Sequence, residues 1–167
     1  MTEVPAWDTW EWEVPVGTSA TSLADLADRE TTALLASIRA LPTDALERPG
    51  TFDRWSARDV VAHCVAWAEI CARVLLEMSA DTLDLDEYDF LPVGEETGDE
   101  LNEQQVEELR GETTDELVER LEGAGRGAAT TLRGFGADAP AVLVLLTIGD
   151  HFAEHAKELR ALAAVDV

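Results

Sequence analysis

The chain contains three histidines, and all three lie on the apolar faces of segments with helical periodicity. His151 and His155 are four residues apart, so a helix places their side chains on one face, one turn apart. His63 lies far upstream in a second segment of helical pattern. If these two helices pack face to face, the three imidazoles converge on one point and can bind a divalent metal ion. Three protein ligands with one open position are typical of catalytic metal sites.

Apolar residues recur with a helical period in four long segments of the chain. We predict helices over residues 22–40, 56–78, 114–133 and 141–164, and a short helix over residues 99–110. No segment shows the alternation of a β-strand convincingly. The sequence therefore predicts an all-α fold, a four-helix bundle with an extra short helix.

The second predicted helix has the clearest start signal in the chain. Ser56 is a favourable N-cap, and Asp59 stands three residues later, as in a capping box. At about 100° per residue, His63 falls just inside the edge of the apolar stripe of this helix, so it faces the core. In the last predicted helix, His151 and His155 are expected at the centre of the stripe.

The segments between the predicted helices are expected to be connections. Residues 42–54 are predicted as a loop with a Pro-Gly turn, and residues 134–140 as a turn. Residues 80–98 are acidic and predict a long loop that could cover one end of the bundle. Inside the predicted third helix, each glycine costs about 1 kcal/mol, which close packing of another helix could offset. These glycines are Gly123, Gly125 and Gly127.

The N-terminal segment differs in composition from the rest of the chain. Residues 1–18 are predicted as an extended arm, and residues 19–167 as the helical domain. The arm holds three of the five tryptophans, Trp7, Trp10 and Trp12. Three exposed indoles would be unusual on a monomer, so we expect the arm to pack on the bundle or on a second subunit. We therefore predict a homodimer.

The charge of the chain excludes several classes of partner. Thirty-five acidic residues and twelve basic ones give a formal net charge of -23. Such a surface repels phosphate backbones and anionic membranes, so we expect no nucleic-acid or membrane partner. No apolar run reaches the roughly 18 residues of a membrane span, and the N-terminus lacks a secretory-signal pattern. We expect a cytoplasmic protein.

The two cysteines are predicted to be free thiols in the core. Cys64 and Cys71 are seven residues apart in one predicted helix. That spacing separates them by about 10 Å along the helix axis, which is too far for a disulfide. Both fall on the apolar stripe, where a free thiol behaves as a small apolar side chain.

The histidine cluster admits an ordinary structural interpretation as well as a metal site. A single histidine on an apolar face is usually a hydrogen-bonded core residue. Here every histidine faces the core, and burying ring nitrogens without partners is unfavourable, whereas one metal satisfies three of them together. Residues 151–155 also match a zinc-protease motif, H-x-x-E-H. We reject that function because Glu154 is rotated off the histidine face. We expect Glu154 either to hydrogen-bond the histidine ring nitrogen that does not bind the metal or to be exposed.

Three motifs resemble those of the DinB-like family of four-helix-bundle metalloproteins. This superfamily includes mycothiol-dependent maleylpyruvate isomerases and bacillithiol transferases. Residues 55–63, Trp-Ser-x-Arg-Asp-Val-x-x-His, resemble the motif of its second helix. Residues 101–106, Leu-Asn-Glu-Gln-Gln-Val, are similar to the segment that opens its third-helix region. Residues 150–155, Asp-His-x-x-x-His, resemble its last-helix metal pair, and the resemblance covers roughly residues 20–165.

The resemblance has consequences for the site and for the fold. It implies that His63, His151 and His155 bind one divalent metal, zinc or nickel, and that Asn102 is a polar contact of the pocket. It also implies a bundle with a long crossover connection and, in many relatives, a homodimer.

These features favour an enzyme, a metal-dependent thiol S-transferase or isomerase relative. The open position would bind a low-molecular-weight thiol, such as mycothiol or bacillithiol, and lower its pKa. The thiolate would then attack a small-molecule substrate. Three alternatives remain: a metal-dependent hydrolase, a non-catalytic metalloprotein that binds or sequesters a small molecule, and a degenerate relative that binds no metal in the cell. A fourth protein ligand on the metal would favour the non-catalytic alternative.

Overall fold

The computed structural model describes residues 18–84, 95–136 and 139–165, and these residues are helical apart from short connections. No β-strand occurs in these ranges, so the all-α prediction is confirmed. The Trp-rich arm lies outside the described residues, and dimerisation stays a prediction. None of the described helices combines the length and the apolar character of a membrane span. The helices are α1 Ala20–Arg39, α2 Thr43–Leu46, α3 Ala57–Ser79, α4 Glu95–Glu108, α5 Thr114–Arg133, α6 Ala141–Val144 and α7 Asp150–Val165, with a π-helical turn, Leu145–Gly149, between α6 and α7.

Three of the long helices begin at a capping box. In each, the N-cap hydroxyl accepts a hydrogen bond from a backbone N–H three residues later, and the side chain at that position accepts one from the N-cap N–H. Such a cap stabilises a helix start by about 1 kcal/mol and fixes where the helix begins. The pair predicted for α3 is confirmed. The three pairs are Ser19 and Ser22, Ser56 and Asp59, and Thr113 and Glu116.

Four helical columns form the bundle, the last being α6, the π-turn and α7 in sequence. Helix α1 packs on α5 and α7, while α3 packs on α5, on the π-turn and on α7. Helices α1 and α3 therefore occupy opposite corners of the bundle, and the connection between them crosses a diagonal. This agrees with the predicted crossover topology.

Two of the predicted connections differ from the structure. The segment predicted as a loop, residues 42–54, contains the helical turn α2, because its Ala45 and Leu46 are buried in the core and hold that turn. The predicted short helix begins earlier than expected, at Glu95 instead of Asp99. Residues 95–98 of the loop predicted over residues 80–98 are therefore helical. The central part of that loop, residues 85–94, lies outside the described residues.

The last helix contains the largest departure from the prediction. It was expected to be continuous over residues 141–164, but the π-turn interrupts it. A π-turn holds an extra residue and rotates everything after it by about 100° relative to an α-helix. The centre of the buried face of α7 is consequently Phe152, Ala156 and Leu159, each at most 1% exposed. His151 and His155 are half-buried beside this centre, so their predicted central position is wrong.

The predicted close packing around the glycines of α5 is found at one of the three. A Cβ atom added to Gly125 would lie 2.3 Å from Oγ1 and 2.6 Å from Cγ2 of Thr31, across the contact with α1. Nothing lies within 4 Å of a Cβ added to Gly123 or Gly127. Gly125 therefore allows α1 and α5 to approach, while the other two glycines only lower helix propensity.

We expect Gly125→Ala and Gly127→Ala to have opposite effects on stability. Gly125→Ala should lower the free energy of unfolding by about 1–3 kcal/mol, because the new methyl group overlaps Thr31. Gly127→Ala should raise it by up to about 1 kcal/mol, because alanine favours an open helical position. Urea unfolding followed by circular dichroism measures both.

The double variant Thr31→Ala with Gly125→Ala provides the control. Removing Oγ1 and Cγ2 of Thr31 takes away two of the three atoms that a Cβ at Gly125 would overlap. The double variant should therefore lose less stability than the sum of the single variants. Strict additivity would contradict this account of the α1–α5 contact.

Candidate metal centre

The three histidines meet where α3 faces α7. Nε2 of His151 lies 2.8 Å from Nε2 of His63 and 3.1 Å from Nε2 of His155. The three ligand atoms lie within 4.8 Å of one another. The rings stand edge to face, with centroids 4.7–5.4 Å apart. Because a bond from Zn²⁺ to an imidazole nitrogen is about 2.0–2.1 Å long, one ion can be shared by nitrogens at this spacing.

Hydrogen bonds behind the rings determine which nitrogens carry protons. Nδ1 of His151 lies 3.2 Å from the carbonyl oxygen of Thr147, and Nδ1 of His155 lies 2.7 Å from Oε2 of Glu158. Both partners only accept, so each Nδ1 must donate. In the neutral rings, Nε2 of His151 and Nε2 of His155 are then both unprotonated, and their lone pairs face each other. A cation between them would convert this repulsion into binding.

His63 has the most enclosed environment of the three. It is 6% exposed, and the indole of Trp55 packs against its ring with centroids 5.2 Å apart. Nδ1 of His63 is buried and has no partner among the described residues. If Nε2 donates to His151, Nδ1 is an unsatisfied acceptor; if Nε2 is free to bind a cation, Nδ1 is an unsatisfied donor. Burial of this ring without a strong partner is unfavourable, and a metal bond at Nε2 would offset it.

Burial keeps two of the rings neutral at physiological pH. Desolvation, with positive charge on His151 and His155 adding to it, lowers the pKa of His63 to about 2. Desolvation and the charge of His155 lower the pKa of His151 to about 4, against a smaller opposing effect of the Thr147 carbonyl. Their lone pairs are therefore available to a metal ion near pH 7 without competition from protons.

Short local structures position these side chains. Phe52 and Trp55 exchange backbone hydrogen bonds of 2.8 and 3.0 Å around a tight turn with Asp53 at a φ of +57°. This turn directs Trp55 against His63 and presents Ser56 as the N-cap of α3. At the other side, the Thr147 carbonyl that orients His151 belongs to the π-turn.

Two indole hydrogen bonds join α4 to α3 and to the turn that precedes α3. Nε1 of Trp67 donates to Oδ1 of Asn102 over 3.0 Å, and Nε1 of Trp55 donates to Oε1 of Glu103 over 2.8 Å. Trp67 follows His63 by one helical turn, and Trp55 packs on its ring. Asn102 lies on α4, and its carbonyl oxygen already has a partner. Contact of Asn102 with a ligand stays a prediction.

The acidic residue that contacts one of the three histidines is one that the sequence reasoning missed. Glu154, considered for that position, is exposed. Glu158 occupies it instead, because a residue three positions after His155 lies on the same helical face. That spacing was the signal available in the sequence. Arg58 donates to the backbone carbonyls of Leu109, Arg110 and Glu112 and thus holds the turn between α4 and α5.

The cysteines take no part in the cluster. Cys64 and Cys71 are free and fully buried, as predicted. Burial raises the pKa of the Cys71 thiol to about 12, although a hydrogen bond with Thr147 lowers it in part. Burial also raises the pKa of Cys64, and the nearby Glu158 carboxylate raises it further. Both thiols therefore stay protonated and unreactive near pH 7.

The chain matches a known protein family over most of its length. The family model of the mycothiol maleylpyruvate isomerase N-terminal domain matches residues 27–164, which include all three histidines. No curated protein and no solved structure matches the chain. The family match spans most of the chain, from the third turn of α1 to the end of α7. The chain thus belongs to the mycothiol maleylpyruvate isomerase N-terminal domain family, within the DinB-like superfamily.

Proposed function

We propose that this protein binds one divalent metal ion through His63, His151 and His155 and uses it to activate a low-molecular-weight thiol for S-transfer or isomerisation. The observation that carries the proposal is the convergence of three ring nitrogens, with Nε2 of His151 2.8 Å from Nε2 of His63 and 3.1 Å from Nε2 of His155. Hydrogen bonds at Nδ1 hold the rings of His151 and His155 in this arrangement. Membership of a mycothiol-related family supports a thiol as the second ligand.

The chemistry of the donor set suits zinc or nickel. Neutral imidazole is a favourable ligand of both, and three such ligands leave a position for another molecule. A divalent ion held there supplies a Lewis acid that lowers the pKa of a bound thiol into the neutral range. Among the described residues, the cluster of possible ligands consists of the three histidines alone.

The other residues of the site would orient the reactants and exclude water. Trp55 covers one side of His63, and Phe152, fully buried, packs near the ring of His151 with centroids 6.1 Å apart. These apolar walls lower the local dielectric constant and strengthen the electrostatic interactions inside the site. With its Oδ1 held by Trp67, Asn102 keeps its amide N–H groups available to a thiol or a substrate.

We expect protein purified without an affinity tag to contain about one equivalent of zinc or nickel, as a site with three histidine ligands would. His155→Ala should weaken metal affinity by more than about 100-fold. Loss of a residue that only hydrogen-bonds a ligand weakens metal affinity by at most about that factor. Elemental analysis and titration against a chromogenic chelator measure both quantities.

Glu154→Ala is the matched control for that experiment. It removes a side chain next to His155 on the same helix, but this side chain is exposed and faces away from the centre. Occupancy should be unchanged. Metal content below about a tenth of an equivalent after growth in supplemented medium would contradict the site, since a preformed site binds its metal on folding.

A thiol should enter the coordination shell of the metal-loaded protein. With cobalt in place of zinc, addition of mycothiol or bacillithiol should produce a thiolate-to-cobalt charge-transfer band in the near ultraviolet. The S-methylated form of the same thiol is the control, because it cannot form a thiolate. Absorption titration measures the affinity and the stoichiometry.

The same titration separates the proposed function from its alternatives. If the cobalt protein binds one equivalent of metal but no tested thiol alters its spectrum, the transferase proposal is wrong. The metal-dependent hydrolase and the non-catalytic binding protein would then be tested with hydrolysable esters and amides.

A further inference from the structure

The carboxylate of Glu158 contacts His155 at Nδ1, the ring nitrogen that faces away from the other two histidines. Its Oε2 lies 2.7 Å from Nδ1 of His155, while Nε2 of the same ring lies 3.1 Å from Nε2 of His151. The two ring nitrogens point in different directions, so an acceptor at Nδ1 lies outside the space between the Nε2 atoms. Glu158 can therefore orient a metal ligand without being one.

The three histidines differ in what their Nδ1 atoms contact. His151 donates to the backbone carbonyl of Thr147, a contact that no side-chain substitution removes. Nδ1 of His63 has no partner among the described residues. Only His155 has a carboxylate at this position in the described part of the chain, and an anion there raises the basicity of the coordinating nitrogen most.

Glu158 is placed by its helix. It follows His155 by three residues, which brings the two side chains together on one face of α7. Its side chain is 39% exposed and that of His155 is 16% exposed, so the pair lies at the edge of the core. At such an edge the charge of the carboxylate is screened by solvent less than on the open surface.

We propose that Glu158 is a positioning residue of the metal centre. By accepting a hydrogen bond from Nδ1 of His155, it selects the ring tautomer whose Nε2 is free for a metal ion and raises the affinity of that nitrogen. This inference rests on the proposed metal site and assigns the residue that tunes it.

The first test needs no metal. In metal-free protein with ¹⁵N-labelled histidine, two-bond ¹H–¹⁵N correlation spectra identify the protonated nitrogen of each ring. His155 should carry its proton on Nδ1 in the wild type and in Glu158→Gln, whose amide oxygen still accepts. In Glu158→Ala it should become a mixture of tautomers, while His151 is unchanged. An unaltered His155 tautomer in Glu158→Ala would overturn the inference, because a structural role alone does not select a tautomer.

The second test measures zinc affinity by chelator competition. Glu158→Ala should bind zinc about 10–100-fold more weakly, the usual effect of losing a partner behind a ligand, and Glu158→Gln should lie between it and the wild type. Glu154→Ala removes the same charge from the exposed face of α7 and should change affinity by less than about fivefold. Unfolding of the metal-free variants checks that all of them retain the fold.

The outcomes separate this inference from the proposed function. If the wild type binds zinc tightly and Glu158→Ala binds it equally tightly, Glu158 is not a positioning residue, while the metal site stands. If the wild type itself binds no zinc, the metal site fails, and with it the effect of Glu158 on affinity. Equal weakening by Glu154→Ala and Glu158→Ala would show a general charge effect and would also overturn the inference.

Discussion

The packing of α3 against the π-turn and α7 is the contact on which the centre depends. It brings His63 from one helix within 2.8 Å of His151 on another, and it buries the rings deeply enough to keep His63 and His151 neutral. In water these imidazoles would exchange partners freely. Held by Thr147, Glu158 and Trp55, their ring nitrogens converge on one another instead. Three nitrogens at this spacing can share one cation, which is why the arrangement indicates a function more strongly than burial alone.

The π-turn explains why the two histidines of α7 can serve a site. In an uninterrupted helix, they would continue the stripe of Val144 and Ile148 and point into the middle of the bundle. Because of the extra residue, Phe152 and Ala156 point into the middle of the bundle instead. His151 and His155 lie on the side that faces α3. It also supplies the Thr147 carbonyl that orients His151. Departures of this kind from the α-helix are frequent at functional sites.

The sequence predicts the parts of this structure that depend on local signals. The capping box of Ser56 and Asp59, the buried stripe of α3 and the convergence of the histidines all follow from spacing within one helix or between two. Features that depend on tertiary packing could not be predicted from spacing. The π-turn has no sequence signature, and Gly125 could not be told from Gly127 without knowing that Thr31 lies opposite it. Glu158 was overlooked because Glu154 completed a familiar motif.

Two of the arginines join helices of the bundle through ion pairs. Arg120 binds Glu69 of α3 with two hydrogen bonds of 2.8 Å, and Arg133 contacts Asp25 and Asp28 of α1. Both arginines belong to α5, so this helix is joined electrostatically to its two neighbours in the bundle. A chain with a net charge of -23 resists compaction through self-repulsion, and placing its cations at helix–helix contacts offsets that repulsion locally. The contact between α3 and α7 instead holds the imidazoles of His63 and His151, which burial keeps neutral, and a divalent cation bound there would provide the same kind of link.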